Sequence, residues 1–247
     1  MPDYTDLFDQ RGSSYDRAMQ AYPAAREAEF RQLLEPLDLR PGSIVGDVPA
    51  GGGYLGPYIP RECEWVRHEP CSDFVTHAGM ERKVGGTPLL PFPFRERSID
   101  ALVSLAGVHH LDDKRGFYRE ARRVVREDGD FVLSDVAIDH PVARFLDDFV
   151  GAHNSTGHDG VYLDEKVVPE LEDAGWTVRS DRLQEYLWVF KDRAGMVDFT
   201  RRLFDIDAAT DDEVAEAIDD RLGTEALSDG GVGMRWALRT LHCRPTT

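Results

Sequence analysis

The stretch Ser43-Ile44-Val45-Gly46-Asp47-Val48-Pro49-Ala50-Gly51-Gly52-Gly53 constrains this chain more than any other. An apolar run that ends in an acid and opens into three consecutive glycines reads as a buried strand with a sharp turn at its carboxyl end. Glycine tolerates positive φ there and lets the backbone approach a ligand closely. In open α/β sheets, ligands bind in the crevice at that end of the strands. Sixteen residues past Gly53, Glu69 closes a second short apolar stretch. Leu90-Pro91-Phe92, an apolar strand over 99–105, the pair His109-His110 and a helix-plus-strand from Phe117 to Val136 follow in order. Each piece is weak alone. Their order and spacing imply a doubly wound α/β domain that binds a nucleoside cofactor.

The rest of the chain fits that rhythm. Residues 1–40 read as a helical segment, with Phe30, Leu33, Leu34 and Leu37 on one apolar face, packing over the site as a partial lid. Pro41-Gly42 punctuates before the first strand. Strands are expected over 44–48, 64–68, 82–84, 99–105 and 131–136. Helices are expected over 72–80 and 114–126, with only a short one over 54–59 because of Pro57 and Pro60. Asp128-Gly129 is expected to end the helix over 114–126. Alternating strands and helices imply a parallel sheet covered on both faces, here over residues 41–180. A helix over 167–174 ends at Gly175, and a strand follows over 176–178. Residues 181–247 are expected to hold an acidic helical insertion over 192–222 and a last strand over 234–243. The inserted stretch, about fifty residues, exceeds ordinary connections, and such loops often carry specificity.

With 247 residues and 41% hydrophobic content, the chain can bury a sizeable core. The net charge of −17 repels a phosphate backbone and argues against nucleic-acid or anionic-membrane partners. No run approaches the ~18 apolar residues of a bilayer span. The N-terminus is polar and acidic, unlike a secretory or transit signal, so a cytoplasmic location is expected. Cys63, Cys71 and Cys243 form no metal or redox motif.

The run Leu90-Pro91-Phe92-Pro93-Phe94 … Ser98-Ile99-Asp100-Ala101-Leu102-Val103-Ser104 … His109-His110-Leu111-Asp112-Asp113 … Arg119-Glu120-Ala121-Arg122-Arg123-Val124-Val125 … Asp128-Gly129, together with the glycine turn and Glu69, resembles the class I S-adenosylmethionine-dependent methyltransferases. The resemblance spans about residues 40 to 180 and is greatest to the small-molecule branch that acts on quinones and natural products. It implies a Rossmann-like, mostly parallel sheet of seven strands, the last one antiparallel. It implies S-adenosylmethionine as cofactor, with Asp47, Gly51 and Gly53 around the methionine moiety and Glu69 on the ribose hydroxyls. Residues 85–90, among them Thr87 and Leu90, would frame the adenine. Residues 104–106, among them Ser104 and Ala106, would lie under the sulfonium, and Tyr15 would close over the cofactor. Two positions depart from the family pattern: Pro49 replaces its usual first glycine, and Gly86 its adenine-binding acid.

Methyl transfer to a small-molecule acceptor by in-line displacement is therefore the expected activity. His109 and His110 follow the strand over 99–105 at its carboxyl edge and are the candidate bases, since histidine titrates near 6.5. Trp188, Phe190 and Phe199 are candidates for the acceptor pocket or for the core. The polar segment from His153 to Asp159 offers two histidines five apart with an adjacent aspartate, a set that could bind a metal, but loop spacing alone favours a solvated loop, and no metal is expected. A homodimer through the helical insertion is compatible with the sequence. The two departures leave a second reading open: a non-catalytic partner subunit, or a relative that uses the same pocket for cyclisation or isomerisation.

Overall fold

The computed structural model describes residues 4–71, 74 and 88–246. Helices α1 (Tyr4–Ala21) and α2 (Glu27–Leu34) lead, and α2 buries Glu29, Phe30 and Leu33. Gly42, at φ +85°, turns the chain into β1 (Ile44–Asp47), followed by β2 (Glu64–Arg67). Between them, only a single turn of 3₁₀ helix, Gly56–Tyr58, forms among the prolines. Apart from Phe74, the expected helix over 72–80 and the strand over 82–84 lie outside the described residues. β3 (Ile99–Leu105) is buried along most of its length.

Helix α3 (Arg115–Val124) leads into β4 (Val125–Asp135), and this junction differs from expectation. The helix stops at Val124 rather than at Asp128-Gly129. Its last carbonyls are capped by the chain entering β3: Arg97 N–H donates to Arg123 O at 2.9 Å and Ser98 N–H to Val124 O at 2.8 Å. The freed chain pairs at once, Val125 opposite Ile99, then bulges until Asp130 faces Ala101. Gly129 is needed for close approach rather than for a left-handed turn, since a Cβ there would sit 2.7 Å from Asp100 O.

Next comes α4, which begins at Pro141–Arg144, widens into a π-helical stretch at Phe145–Val150 and ends at Gly151–His153. Helix α5 (Val167–Asp173) ends as expected at Gly175, φ +88°. β5 (Trp176–Phe190) runs far beyond the three residues anticipated. Tyr186, Trp188 and Phe190 alternate with the more exposed Glu185 and Val189, the period-two pattern of a half-buried strand. The insertion supplies α6 (Arg193–Leu203), capped by Asp192, and α7 (Asp211–Arg221), started by a Thr210–Glu213 capping box. β6 (Thr224–Ala226) and β7 (Val232–Pro245) complete the chain.

Among the described residues, seven strands form one sheet in the order β2-β1-β3-β4-β7-β5, with β6 beside β7. The first four are parallel, and β7 runs antiparallel between β4 and β5, as the resemblance implied. Chain order reverses at β1, which lies between β2 and β3 and so opens a crevice at their carboxyl ends. Asp47 stands level with Arg67 on one side and Val103 on the other.

Each face of the sheet has its own core. One gathers Phe117, Phe131, Leu171 and Trp176 under α3 and α5. The other gathers Phe145, Trp188, Met196, Phe199 and Trp236 under α1, α2 and the inserted helices. Phe131 is fully buried, with its ring centroid 5.1 Å from that of Trp176. Phe131→Ala should lower unfolding free energy by about 3–5 kcal/mol in urea denaturation, through lost transfer energy and a residual cavity. A loss under about 1 kcal/mol would place the weight of this core elsewhere.

Candidate active site

Asp47 ends β1 with its carboxylate buried, and its Oδ2 has no hydrogen-bond partner among the described residues. Burial pushes its pKa up to about 8; the Glu69 charge adds to this, while Trp65 and Arg67 oppose it. Glu69 is held by the turn it faces. Gly51 N–H donates to its Oε2 at 2.7 Å, and Cys71 N–H donates to its Oε1 at 2.8 Å. Gly51 sits at φ +52°, as the glycine turn required. Gly107 lets the loop after β3 touch this turn, since a Cβ there would lie 2.5 Å from Pro49 Cγ.

Helix α1 roofs this crevice. Tyr54 Oη donates to Asp16 Oδ1 at 2.8 Å, and the Tyr15 ring packs on Tyr54 and Phe74. The result is a chamber lined by Tyr15, Arg26, Asp47, Pro49, Gly51, Tyr54 and Ala106, among others. An unpartnered carboxylate oxygen in such a chamber suits a cationic group; Glu69 does not line the chamber but is bonded to Gly51, which does, and its fixed oxygens suit a pair of hydroxyls. The residues present therefore fit the methionine and ribose ends of S-adenosylmethionine.

A second chamber adjoins the first and shares Tyr15, Arg26 and Ala106 with it. Ala106 leaves β3 at φ +47°, a conformation unusual for a residue with a Cβ, and its N–H donates to Ser134 O at 2.8 Å. Arg26 is buried and ion-paired with fully buried Glu29, which also accepts from Trp188 Nε1 at 2.6 Å. Burial alone would lower the Arg26 pKa, but Glu29 and the Tyr15 hydroxyl raise it, so the guanidinium stays charged. Trp188 and Trp236 stack at 4.1 Å between centroids, and with Phe204 they form an apolar wall.

Opposite that wall stand His109, His110 and His158. His109 and His110 lie in a 3₁₀ turn, Val108–His110, just past β3. His109 Nδ1 is 2.7 Å from Oδ1 of Asp135, the fully buried last residue of β4. Asp135 also accepts from the backbone N–H groups of Val108, His109 and Val136. Burial acts to raise its pKa, but His109 and these donors hold it below the usual carboxylate range. His158 Nδ1 is likewise 2.9 Å from Asp147 Oδ1, which also accepts from Tyr162 Oη at 2.6 Å.

The remaining sequence candidates fall in different places. Gly53 is left-handed, at φ +79°, but does not line the chamber, and a Cβ on it would crowd Arg67 and Trp65. Ser104 is buried within β3 with its Oγ unpartnered among the described residues; Leu105, Ala106 and Gly107 line the chamber instead. Leu90 packs on the core under α3, in a segment pinned by Glu120 and Arg123 through the backbone of Phe92 and Phe94. Thr87 and Gly86 lie outside the described residues. Trp188 lines the acceptor side, whereas Phe190 and Phe199 are core. Arg26, Glu29, Asp135 and Asp147 were missed. Of these, only Asp135, an acid ending an apolar run as Asp47 does, carried a readable signal.

A methyltransferase-domain family profile matches residues 50–133. An uncharacterized methyltransferase, YcgJ of Bacillus subtilis, is 33% identical over 135 residues, 49% of this chain and 51% of that protein. Its crystal structure covers 90% of this chain and 99% of its own at a TM-score of 0.61 and 16% identity. A demethylmenaquinone methyltransferase of Corynebacterium efficiens is 27% identical over 139 residues, 54% of this chain and 59% of that protein. The [4+2]-cyclase SpnF shares the fold at a TM-score of 0.57 and 16% identity, over 100% of this chain and 97% of that one. The chain thus spans about half the length of the curated relatives it matches. With this sheet order and glycine turn, the domain match and the relatives support a class I S-adenosylmethionine-dependent methyltransferase. No helix among the described residues is long and apolar enough to cross a membrane.

The Asp47 environment has a consequence for stability. Its folded pKa, about 8, lies above the ordinary 3.8, so the protonated carboxyl favours folding. That contribution is full below pH 3.8 and lost as pH rises through about 8. Ligand-free Asp47→Asn should therefore be more stable than wild type at pH 8.5, by about 2–5 kcal/mol, with the gap closing towards pH 4. Parallel stability profiles across that range would show that Asp47 carries no buried charge.

Proposed function

We propose that the protein transfers a methyl group from S-adenosylmethionine to a small, flat, largely apolar acceptor held in the histidine-lined chamber. The observation that carries this reading is the shared boundary at Tyr15, Arg26 and Ala106. It sets an acid-and-glycine chamber directly against one with aromatic walls and histidines. The likeness to demethylmenaquinone methyltransferases supports a quinone-like or related acceptor.

Bound S-adenosylmethionine supplies a methyl carbon already made electrophilic by its sulfonium. Asp47 would face the cationic end of the methionine moiety, and Glu69, fixed by two backbone donors, would accept from the ribose hydroxyls. Tyr15 and the Arg26–Glu29 pair close the chamber from above and exclude water, which favours in-line transfer. Removal of a proton from a neutral acceptor falls to His109. Asp135 takes its Nδ1–H, which leaves the lone pair on Nε2 and stabilises the imidazolium that forms.

A second reading, cyclisation or isomerisation in the same chamber, draws on its apolar walls and on the fold shared with SpnF. Calorimetry with S-adenosylmethionine and S-adenosylhomocysteine, followed by an acceptor screen for methylated product, separates the two. Micromolar binding with no methylated product would favour the second reading, and no binding would remove the first.

Within the first reading, Glu69→Ala should weaken cofactor binding by about 1–3 kcal/mol. Unchanged affinity would take Glu69 out of the site. His109→Ala should cut turnover about 100-fold or more while leaving cofactor affinity near wild type. Full turnover would show that His109 is not the base.

A further inference from the structure

We propose that His109, His110 and His158 form a binding site for a divalent transition-metal ion of the zinc class, open to the acceptor chamber. Their donor nitrogens all lie within 4.8 Å of one another, although His158 is 48 residues further along the chain than His110. Three imidazoles around a tetrahedral ion at about 2.0–2.1 Å stand about 3.4 Å apart, so loading requires a closure on the order of 1 Å.

The supporting atoms argue for a built site rather than a chance meeting of rings. Metal-bound histidine characteristically donates its other ring N–H to a carboxylate or carbonyl, which fixes the tautomer and aims the lone pair. His109 has this arrangement with Asp135, and His158 has it independently with Asp147. In both, Nε2 is left carrying the lone pair. Asp147 is held in turn by Tyr162 Oη and by Gly160 N–H. It lies in the π-helical stretch of α4, a distortion frequent at functional sites.

The backbone also brings the loop in. Val161 N–H donates to His109 O at 2.8 Å, and Gly151 lets His158 approach α4, since a Cβ there would meet His158 O at 2.8 Å. All-imidazole ligation suits zinc-class ions and disfavours magnesium and calcium, which take oxygen donors. The cluster holds three ligands and no fourth among the described residues, the pattern of a site that keeps a position for water or substrate.

The role of the ion, unlike its binding, rests on the methyl-transfer reading. An acceptor hydroxyl in the open position would lose its proton to solvent near neutral pH and remain as a bound oxyanion. His109 then acts as a ligand in the loaded protein and as the base in the metal-free one. The acceptor class narrows to phenol-, enol- or hydroquinone-type hydroxyls.

The test is a titration of the metal-stripped full chain with Co²⁺, followed by visible absorption, with S-adenosylhomocysteine calorimetry on the same samples. The expected result is an intense tetrahedral-type spectrum that saturates at one equivalent and is displaced by Zn²⁺. His110→Ala and His158→Ala should each weaken binding more than about tenfold, and Asp147→Asn by about 10- to 100-fold. His153→Ala should change nothing, because its Nδ1 is engaged with Phe149 O on the far side of the loop. Retained S-adenosylhomocysteine binding certifies folding, and if His158→Ala fails that check, His110→Ala and Asp147→Asn decide. No spectrum from wild type, or equal affinity in His110→Ala and Asp147→Asn, overturns the metal site and leaves the methyl-transfer reading standing. A normal spectrum without S-adenosylhomocysteine binding supports the metal site and overturns the transfer reading instead.

Discussion

The Asp135 carboxylate, taken fully out of water at the end of β4, is the constraint on which the acceptor side depends. A buried anion must be matched by donors or it destabilises the fold. Three backbone N–H groups and one imidazole meet that demand here. Meeting it draws the turn after β3 onto the tip of β4 and sets both adjacent histidines at the chamber wall. Glu69 does the same on the other side of the switch point, where Gly51 N–H binds the glycine turn to the chain just past β2 and Cys71 N–H fixes the second oxygen. Two carboxylates at strand ends thus anchor the loops that surround the reaction space.

Much of this was legible in the sequence, because local signals coincided with tertiary demand. The glycine turn, the acid after the second strand and the apolar run over 99–105 each occur once and in order, and the resemblance covers the same stretch. Gly175 ended its helix as glycine after a helix usually does. Gly129 did not, because its role is a close approach to Asp100, which depends on a neighbouring strand and leaves no local trace.

What stayed hidden is long-range. Arg26 and Glu29 look like ordinary surface residues of an amphipathic helix. Only the packing of α2 under β5 buries them, with Trp188 as a third partner. His153 and His158 share one polar stretch of the sequence, and spacing favours neither; the structure ends α4 at His153 and leaves His158 in the loop that follows. The structure turns one towards the chamber and the other back onto Phe149. The full length of β5 was likewise obscured, because charged residues interrupt its apolar alternation where it forms the edge of the sheet. Such charges also discourage pairing with a second sheet edge.

β7 is longer than the parallel half of the sheet requires. Residues 239–243 close against β4, while residues 232–238 continue with β5 as a ribbon that reaches past β4, carries Trp188 and Trp236, and takes the short β6 alongside residues 232–234. The protein is therefore modular in a mechanical sense. One end of the ribbon is clamped in the sheet and the other is a cantilever whose inward row of aromatics is the chamber's back wall. Asp47 and Glu69 lie at the ends of β1 and β2, across β3 and β4 from the ribbon, so remodelling it would reshape the histidine-lined chamber and leave those two carboxylates in place.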